Sequence, residues 1–247
     1  MRLTDQIALI GSGGVGFNLT HQLDCHIYLI HDGDEAAIID AGAGVDVEPI
    51  LEQIDRSGVP RSAIRTLLLT HAHGDHAGGT RALRDALDLE VWASPPAAQY
   101  VRDGDEHAIS LDRAKEVGGY PEGYVFQDCP VARALREGDR FPVGSLEVEV
   151  IETPGHCGGH LSYLLRRPGG TDLFSGDAIF ATGRILLQDI WDCSVTQSCE
   201  SVRRLARARP DGLYPGHGAV SVSRGYNHIY SAMEHVSQML PPPQLAF

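Results

Sequence analysis

The stretch LLLTHAHGDHAGGT, residues 67–80, constrains the fold of this chain more than any other. An apolar, strand-like run ends at Thr70 and at once delivers His71, His73, Asp75 and His76 within six residues. A helical pattern follows, so the sequence predicts a strand, a tight turn and a helix with four side chains gathered at the strand's end. Imidazole and carboxylate are the ligands that zinc and similar borderline metals take. Gly74 admits a tight backbone, and Gly78-Gly79 admits close packing behind it. The bland alternative, four polar residues on a solvated loop, leaves the density of a scarce residue type without a purpose.

Three later segments repeat the pattern one residue at a time. ETPGHCGGH (152–160) places His156 after a strand at 146–152. LFSGDAIF (173–180) places Asp177 after a strand at 173–175, and LYPGHG (213–218) places His217 after one at 213–214. Each is accompanied by glycine, and often proline, the residues of rigid turns.

Further strand-like segments lie at 6–10, 26–31, 36–40, 64–70, 90–93 and 161–166, with helical patterns at 47–56, 76–87, 196–208 and about 225–239. The first helix places Val47, Ile50, Leu51 and Ile54 on one face by their 3, 4, 7 spacing. Strands come first in hairpin-like succession and then in alternation with helices, which predicts layered sheets with helices outside. Residues 94–135, rich in proline, glycine and tyrosine, read as helices and loops inserted across one sheet edge. The whole of 1–247 is taken as one α/β domain.

The formal net charge of −13 argues against a sequence-independent nucleic-acid surface, which needs Lys and Arg facing phosphates. The dense basic cluster Arg203, Arg204, Arg207 and Arg209 has the spacing of a solvated helix face. No apolar run approaches the ~20 residues of a membrane span, and five cysteines without C-x-x-C give no disulfide or zinc-knuckle framework. The expectation is a cytoplasmic protein acting on a small molecule, with no nucleic-acid or membrane partner and no oligomeric state specified.

H-x-H-x-D-H at 71–76, T-P-G-H-x-x-G-H at 153–160, G-D-x-x-F at 176–180 and P-G-H-G at 215–218 together resemble the metallo-β-lactamase superfamily, and its glyoxalase II branch most. The resemblance runs from about His26 to His217 and takes in the paired strands that end in Asp40-Ala41-Gly42. It implies a four-layered αβ/βα sandwich with metals at one edge between two sheets. It implies His71, His73 and His156 on one metal, Asp75, His76 and His217 on a second, and Asp177 bridging them. Asp40 and His160 match positions that orient such ligands. Cys157 stands where threonine is common and is taken as a small neighbour of the site. The implied cofactor is two zinc ions, with iron or manganese as alternatives.

The resemblance further implies a hydrolase in which a metal-bridging hydroxide cleaves an ester, thioester or lactone, with Asp75 shuttling a proton. β-Lactamases of this fold usually carry Cys where Asp177 stands, and flavo-diiron proteins carry Glu where His73 stands, which disfavours both. Glyoxalase II proteins carry a helical C-terminal domain, whereas thirty residues follow His217 here. Acyl-homoserine lactonases usually carry Tyr where Phe180 stands. A one-iron persulfide dioxygenase and a metal-stabilised, non-enzymatic binding protein are the alternative readings.

Two features lie outside these motifs. IGSGGVGF (10–17) spells G-x-G-x-x-G after a strand, the form of a dinucleotide-binding turn. Only nine residues, Phe17 to Cys25, precede the next strand, too few for the helix such a turn needs, so no nucleotide cofactor is expected. A mobile substrate flap carrying Phe17 is expected instead. A substrate pocket is expected from Phe180, Trp191, Ile179, Tyr120, Tyr124 and Phe126, with Arg184 meeting a carboxylate.

Overall fold

Aliphatic runs with little polar interruption become the inner strands of two sheets. The computed structural model describes residues 1–245, which fall into two units, Met1–Ala134 and Leu135 onward. In the first unit, β1 (Ile7–Gly11), β2 (Ile27–Asp32), β3 (Glu35–Ile39), β4 (Ile64–Leu68), β5 (Glu90–Ala93) and β6 (Arg133–Ala134) form one sheet in that order. β1 to β3 pair antiparallel and β3 to β6 parallel. The register sets Ile39 beside Leu68, so the residues that leave β3 and β4 emerge side by side.

α1 (Glu48–Ser57) buries Ile50, Leu51 and Ile54, starts with a proline in its first turn and stops at Gly58 in the left-handed conformation. The helix expected over 76–87 is divided into α2 (Gly74–Ala77) and α3 (Thr80–Leu87). The break has a hydrogen-bonding cause. The Asp75 carbonyl accepts from Cys25 N, and Gly79 N donates to Gly42 O, so the bond from residue 79 back to residue 75 is not made. The segment 94–135 folds as α4 (Pro95–Asp103), α5 (Leu111–Glu116) and β6, a two-residue edge strand too short to show in the sequence pattern.

In the second unit the sheet order is β11-β10-β9-β8-β7. Its strands are β7 (Arg140–Val143), β8 (Leu146–Glu152), β9 (Leu161–Arg167), β10 (Gly170–Gly176) and β11 (Gly212–Pro215). All pairs are antiparallel except β10 with β11. The sequence pattern does not predict β7 because it contains Pro142, which a strand tolerates only at an edge, where β7 lies. α6 (Val195–Ala206) and α7 (Gly225–Ser237) contribute Val202, Leu205, Ile229, Ala232 and Val236 to a core with Leu173 and Leu213. The basic cluster is a solvated, largely paired face: Arg203 binds Glu200, Arg204 binds Glu137, and Arg209 lies over the Tyr226 ring. Among the described residues no helix is long and apolar enough to cross a membrane.

No helix follows the G-x-G-x-x-G stretch, which turns back tightly on itself. Ser12 O accepts from Leu19 N and Thr20 N, Ser12 Oγ accepts from Phe17 N, and Gly13 N and Gly14 N donate to Asp24 O and Gln22 O. Five amides thus tie this turn to itself and to the segment at residues 22–24. A Cβ on Gly13 would stand 2.5 Å from Gln22 O and 2.6 Å from Asp24 O, so this glycine serves backbone packing. Gly13→Val is therefore expected to lower unfolding free energy by about 2–3 kcal/mol, the upper part of the roughly 1–3 kcal/mol range of an overpacked interior. Urea denaturation measures it; a loss under about 1 kcal/mol, below that range, would mean that the turn yields easily.

Candidate metal centre

In the first unit the parallel ends of β3 and β4 bring Asp40 beside Thr70. Asp40 N donates to Leu68 O, and Asp40 Oδ1 accepts from Thr70 N at 2.7 Å. The Thr70 hydroxyl donates to Asp40 Oδ2 at 2.8 Å, leaving its oxygen to accept from His71 Nδ1 at 2.9 Å. His76 Nδ1 donates to the same Asp40 Oδ2 at 2.8 Å. One buried carboxylate thus sets the tautomer of two imidazoles, directly for His76 and through Thr70 for His71. Asp40 does this from a left-handed backbone, φ +63°, a conformation aspartate tolerates better than most residues. Thr70, which links Asp40 to His71, is a member of this cluster that the sequence pattern does not single out; its position between the strand and His71 is the available signal.

With Nδ1 engaged, the Nε2 edges of these rings turn toward the other candidate ligands. His71 Nε2 stands 3.1 Å from His73 Nδ1, and His76 Nε2 stands 3.6 Å from Asp75 Oδ2. Cys25, Asp40 and His76 also cluster, but burial pushes the Cys25 thiol up to about 12, so it stays protonated at neutral pH. The hydroxyl of Tyr120 packs against Gly74, and burial, with the Asp75 charge next, raises its pKa well above the ordinary phenol value.

In the second unit β8, β10 and β11 run the same way, so their C-terminal ends share one edge. His156 follows β8, Asp177 follows β10 and His217 follows β11. His156 Nε2 and His217 Nε2 each stand 3.6 Å from one atom, Asp177 Oδ2, and all three side chains are buried. His156 Nδ1 donates to Leu186 O at 3.0 Å. His160 is not in this group but beneath it. Its Nε2 accepts from Asp177 N at 3.0 Å, and its Nδ1 faces Thr153 Oγ1 at 2.9 Å. The chain of hydroxyls continues from Thr153 to Ser162 and on to the Ser175 carbonyl. Cys157 is buried in the same turn as His156.

These separations suit coordination. Two donors each about 2.1 Å from one ion at the tetrahedral angle stand roughly 3.4 Å apart. Separations of 3.1–3.6 Å are close to that, and 3.6 Å is too long for a hydrogen bond. Nitrogen and carboxylate donors with ring tautomers fixed from behind are what a borderline divalent metal requires.

The residues expected around a substrate are divided between the two units. Phe126 lies in the core of the first unit and Ile179 in that of the second. Phe180 is also buried, and its amide donates to Arg184 O. Tyr120 and Tyr124 are half-buried, with ring centroids 4.7 Å apart and planes tilted by 41°, and Tyr124 Oη donates to Ala43 O, bracing the turn behind the histidines. Arg184 Nη1 is bonded to Gln244 O at 2.6 Å. Phe17, 43% exposed, lies over the His26 ring, and Trp191 is 64% exposed. The other histidines serve locally: His107 pairs with Asp112, and His228 bridges the Thr182 amide and Ser221.

A sequence model of the metallo-β-lactamase superfamily matches residues 22–217. The chain belongs to the metallo-β-lactamase superfamily. Curated hydroxyacylglutathione hydrolases of Cupriavidus taiwanensis and Rhodopseudomonas palustris resemble it at 33% identity over 163 residues and 30% over 192. Those matches cover 65% and 77% of this chain but only 51% and 61% of the relatives' own length. Among solved structures, a Cronobacter sakazakii metallo-β-lactamase with a HARLDQ motif superposes with TM-score 0.75 at 19% identity, over 97% of this chain and 95% of that one. A subclass B3 enzyme of Bradyrhizobium japonicum gives 0.73 at 20% identity, over 97% and 90%. The likeness establishes the superfamily fold, two sheets flanked by helices, that the motifs predict.

Proposed function

We propose that this superfamily member is a dinuclear metal hydrolase that cleaves an ester, thioester or lactone bond in a small molecule. The observation that carries the reading is the set of inward imidazole and carboxylate edges, with Nδ1 of His71, His76 and His156 held from behind. On this reading His71, His73 and His156 would hold one metal, Asp75, His76 and His217 a second, and Asp177 both. Zinc fits the donors best, with iron or manganese as alternatives. Bound there, the metals would supply Lewis acidity and a water activated near neutral pH.

The chain's own residues do the rest. Asp40 and Thr70 keep the His71 and His76 rings in the tautomer that presents Nε2. Asp75 is more exposed than His71 or His76, and its Oδ1, the oxygen not directed at His76, takes up and returns the proton. The thioester choice draws support from the hydroxyacylglutathione hydrolases, while ester and lactone substrates stay within the same chemistry.

The test is elemental analysis of purified protein with a panel of thioesters, esters and lactones. About two metals per chain and turnover of at least one class support the reading. One iron with oxygen consumption and no hydrolysis would favour the dioxygenase alternative, and metal without turnover the binding protein.

Trp191 is proposed as a substrate contact because so large an apolar ring in water contributes little to folding. Trp191→Ala is expected to raise KM about tenfold, the worth of roughly 1.4 kcal/mol of apolar contact. Its melting temperature should stay within about 2 °C of the parent's, since exposed positions rarely matter to stability. A fallen melting temperature with unchanged KM would show a packing role instead.

A further inference from the structure

The turn that carries His156 is held by a segment some thirty residues away in sequence. Leu186 O accepts from His156 Nδ1 at 3.0 Å, and Ser194 N donates to Gly155 O at 2.7 Å. Between these two points, Asp192 Oδ2 accepts from Gly158 N at 2.7 Å. Below the turn, Ser201 Oγ of α6 donates to Pro154 O at 2.6 Å. Gly155 has φ +138°, and a Cβ there would stand 2.3 Å from Ser198 N, so the turn lies directly on the first turns of α6.

Three of these four ties use backbone carbonyls as acceptors, which any residue supplies. The fourth needs the Asp192 carboxylate. Its other oxygen, Oδ1, is buried with no hydrogen-bond partner among the described residues. A carboxylate with one oxygen buried and unsatisfied is a poor choice for stability, because the desolvation it suffers is not returned. An orphaned buried acceptor of this kind calls for an explanation other than packing. Gly158 is two residues from His156, and the ring's Nε2 is the atom that faces Asp177. A carboxylate anchoring the amide at one end of this turn, with Leu186 O at the ring itself, fixes where that nitrogen points.

We propose that Asp192 is a positioning residue of the metal centre: by holding Gly158 N it orients His156 and so sets metal affinity, at no gain to the stability of the metal-free fold. The inference rests on the reading of His156 as a ligand. It also explains why an acid stands beside the exposed Trp191, since the same short segment that reaches into solvent is tied to the ligand turn.

The experiment measures zinc affinity by competition with a chromophoric chelator, and melting of the metal-free protein, in four proteins: parent, His156→Ala, Asp192→Ala and Asp192→Asn. Asp192→Ala is expected to lose about 10–100-fold in zinc affinity, as removal of a partner that orients a ligand does. The metal-free melting temperature of Asp192→Ala should match or exceed the parent's. Asp192→Asn keeps an acceptor oxygen for Gly158 N and is expected to stay within about threefold of the parent, on the same orientation argument. Parent-like affinity in Asp192→Ala, while His156→Ala loses affinity, overturns the inference alone. Parent-like affinity in His156→Ala overturns the reading of His156 and the inference with it. Asn no better than Ala also overturns it, because charge and not the hydrogen bond would then be at work. So does a lower metal-free melting temperature in Asp192→Ala. Failure of Asp192→Ala to fold counts as that same overturning result.

Discussion

Replacing Asp177 with alanine is expected to reduce bound metal from about two ions per chain to one or none, and hydrolysis by about a thousandfold. The geometry gives this side chain its weight. A single oxygen, Oδ2, stands 3.6 Å from both His156 Nε2 and His217 Nε2, the separations of donors around a common centre. Even a partner that only orients a ligand is worth about 10–100-fold in affinity, so removing a proposed ligand should cost at least about a hundredfold. Lewis-acid stabilisation is worth several kcal/mol, and each ~1.4 kcal/mol is about tenfold in rate, which gives the thousandfold loss. Elemental analysis after dialysis, with turnover of the best panel substrate, checks both numbers. Two retained metals with parent-like turnover would remove Asp177 from the centre. The metal-free variant should melt no lower than the parent, since a buried carboxylate contributes little stability on its own.

Asp177 is legible in the sequence because each candidate ligand leaves the C-terminal end of a strand beside a glycine. That local arrangement shows in a single chain: a strand pattern, a chemical side chain, a turn residue. Thr70 and Thr153 are legible in principle, since each adjoins a ligand motif, but nothing about threonine distinguishes a relay from a strand end. Asp192 carries no signal at all, because the amide it binds is 34 residues away and belongs to the backbone. The pocket residues are the hardest to read, for a physical reason. An aromatic or aliphatic residue buried in a core and one lining a pocket are the same in composition and periodicity, so Phe126 and Ile179 cannot be assigned before packing is known. Similarly, G-x-G-x-x-G states only that the backbone needs room at Gly11, Gly13 and Gly16. Here the room is taken by Ile27, by the carbonyls of Gln22 and Asp24, and by His26 and Ser12.

Gly79→Ala is expected to be the most damaging single-methyl change in the first unit, lowering unfolding free energy by about 3 kcal/mol or more, at or above the usual range for overpacking. The turn after β3 and the break between α2 and α3 interlock backbone to backbone. Ala41 N donates to His76 O, Gly79 N donates to Gly42 O, and a Cβ on Gly79 would stand 2.1 Å from Ala41 O. Gly44 and Gly78 face each other just as tightly: a Cβ on Gly44 would stand 2.4 Å from Gly78 O, and one on Gly78 2.3 Å from Ala43 O. No flexible side chain is available to move aside, so the two segments must separate. Asp40 lies one residue before Ala41, and the separation would draw it from His76, 2.8 Å away, and loosen the tautomer lock. Zinc affinity is therefore expected to fall about tenfold alongside stability. Gly58→Ala is the fitting control. Gly58 has φ +82°, and a methyl there would meet nothing within 4 Å. It should therefore lose only the roughly 1–2 kcal/mol of left-handed backbone strain. Its zinc affinity should be unchanged, because α1 supplies no group to the centre. Equal losses in the two variants, by urea denaturation, would mean that the interlock around Gly79 gives way with little resistance.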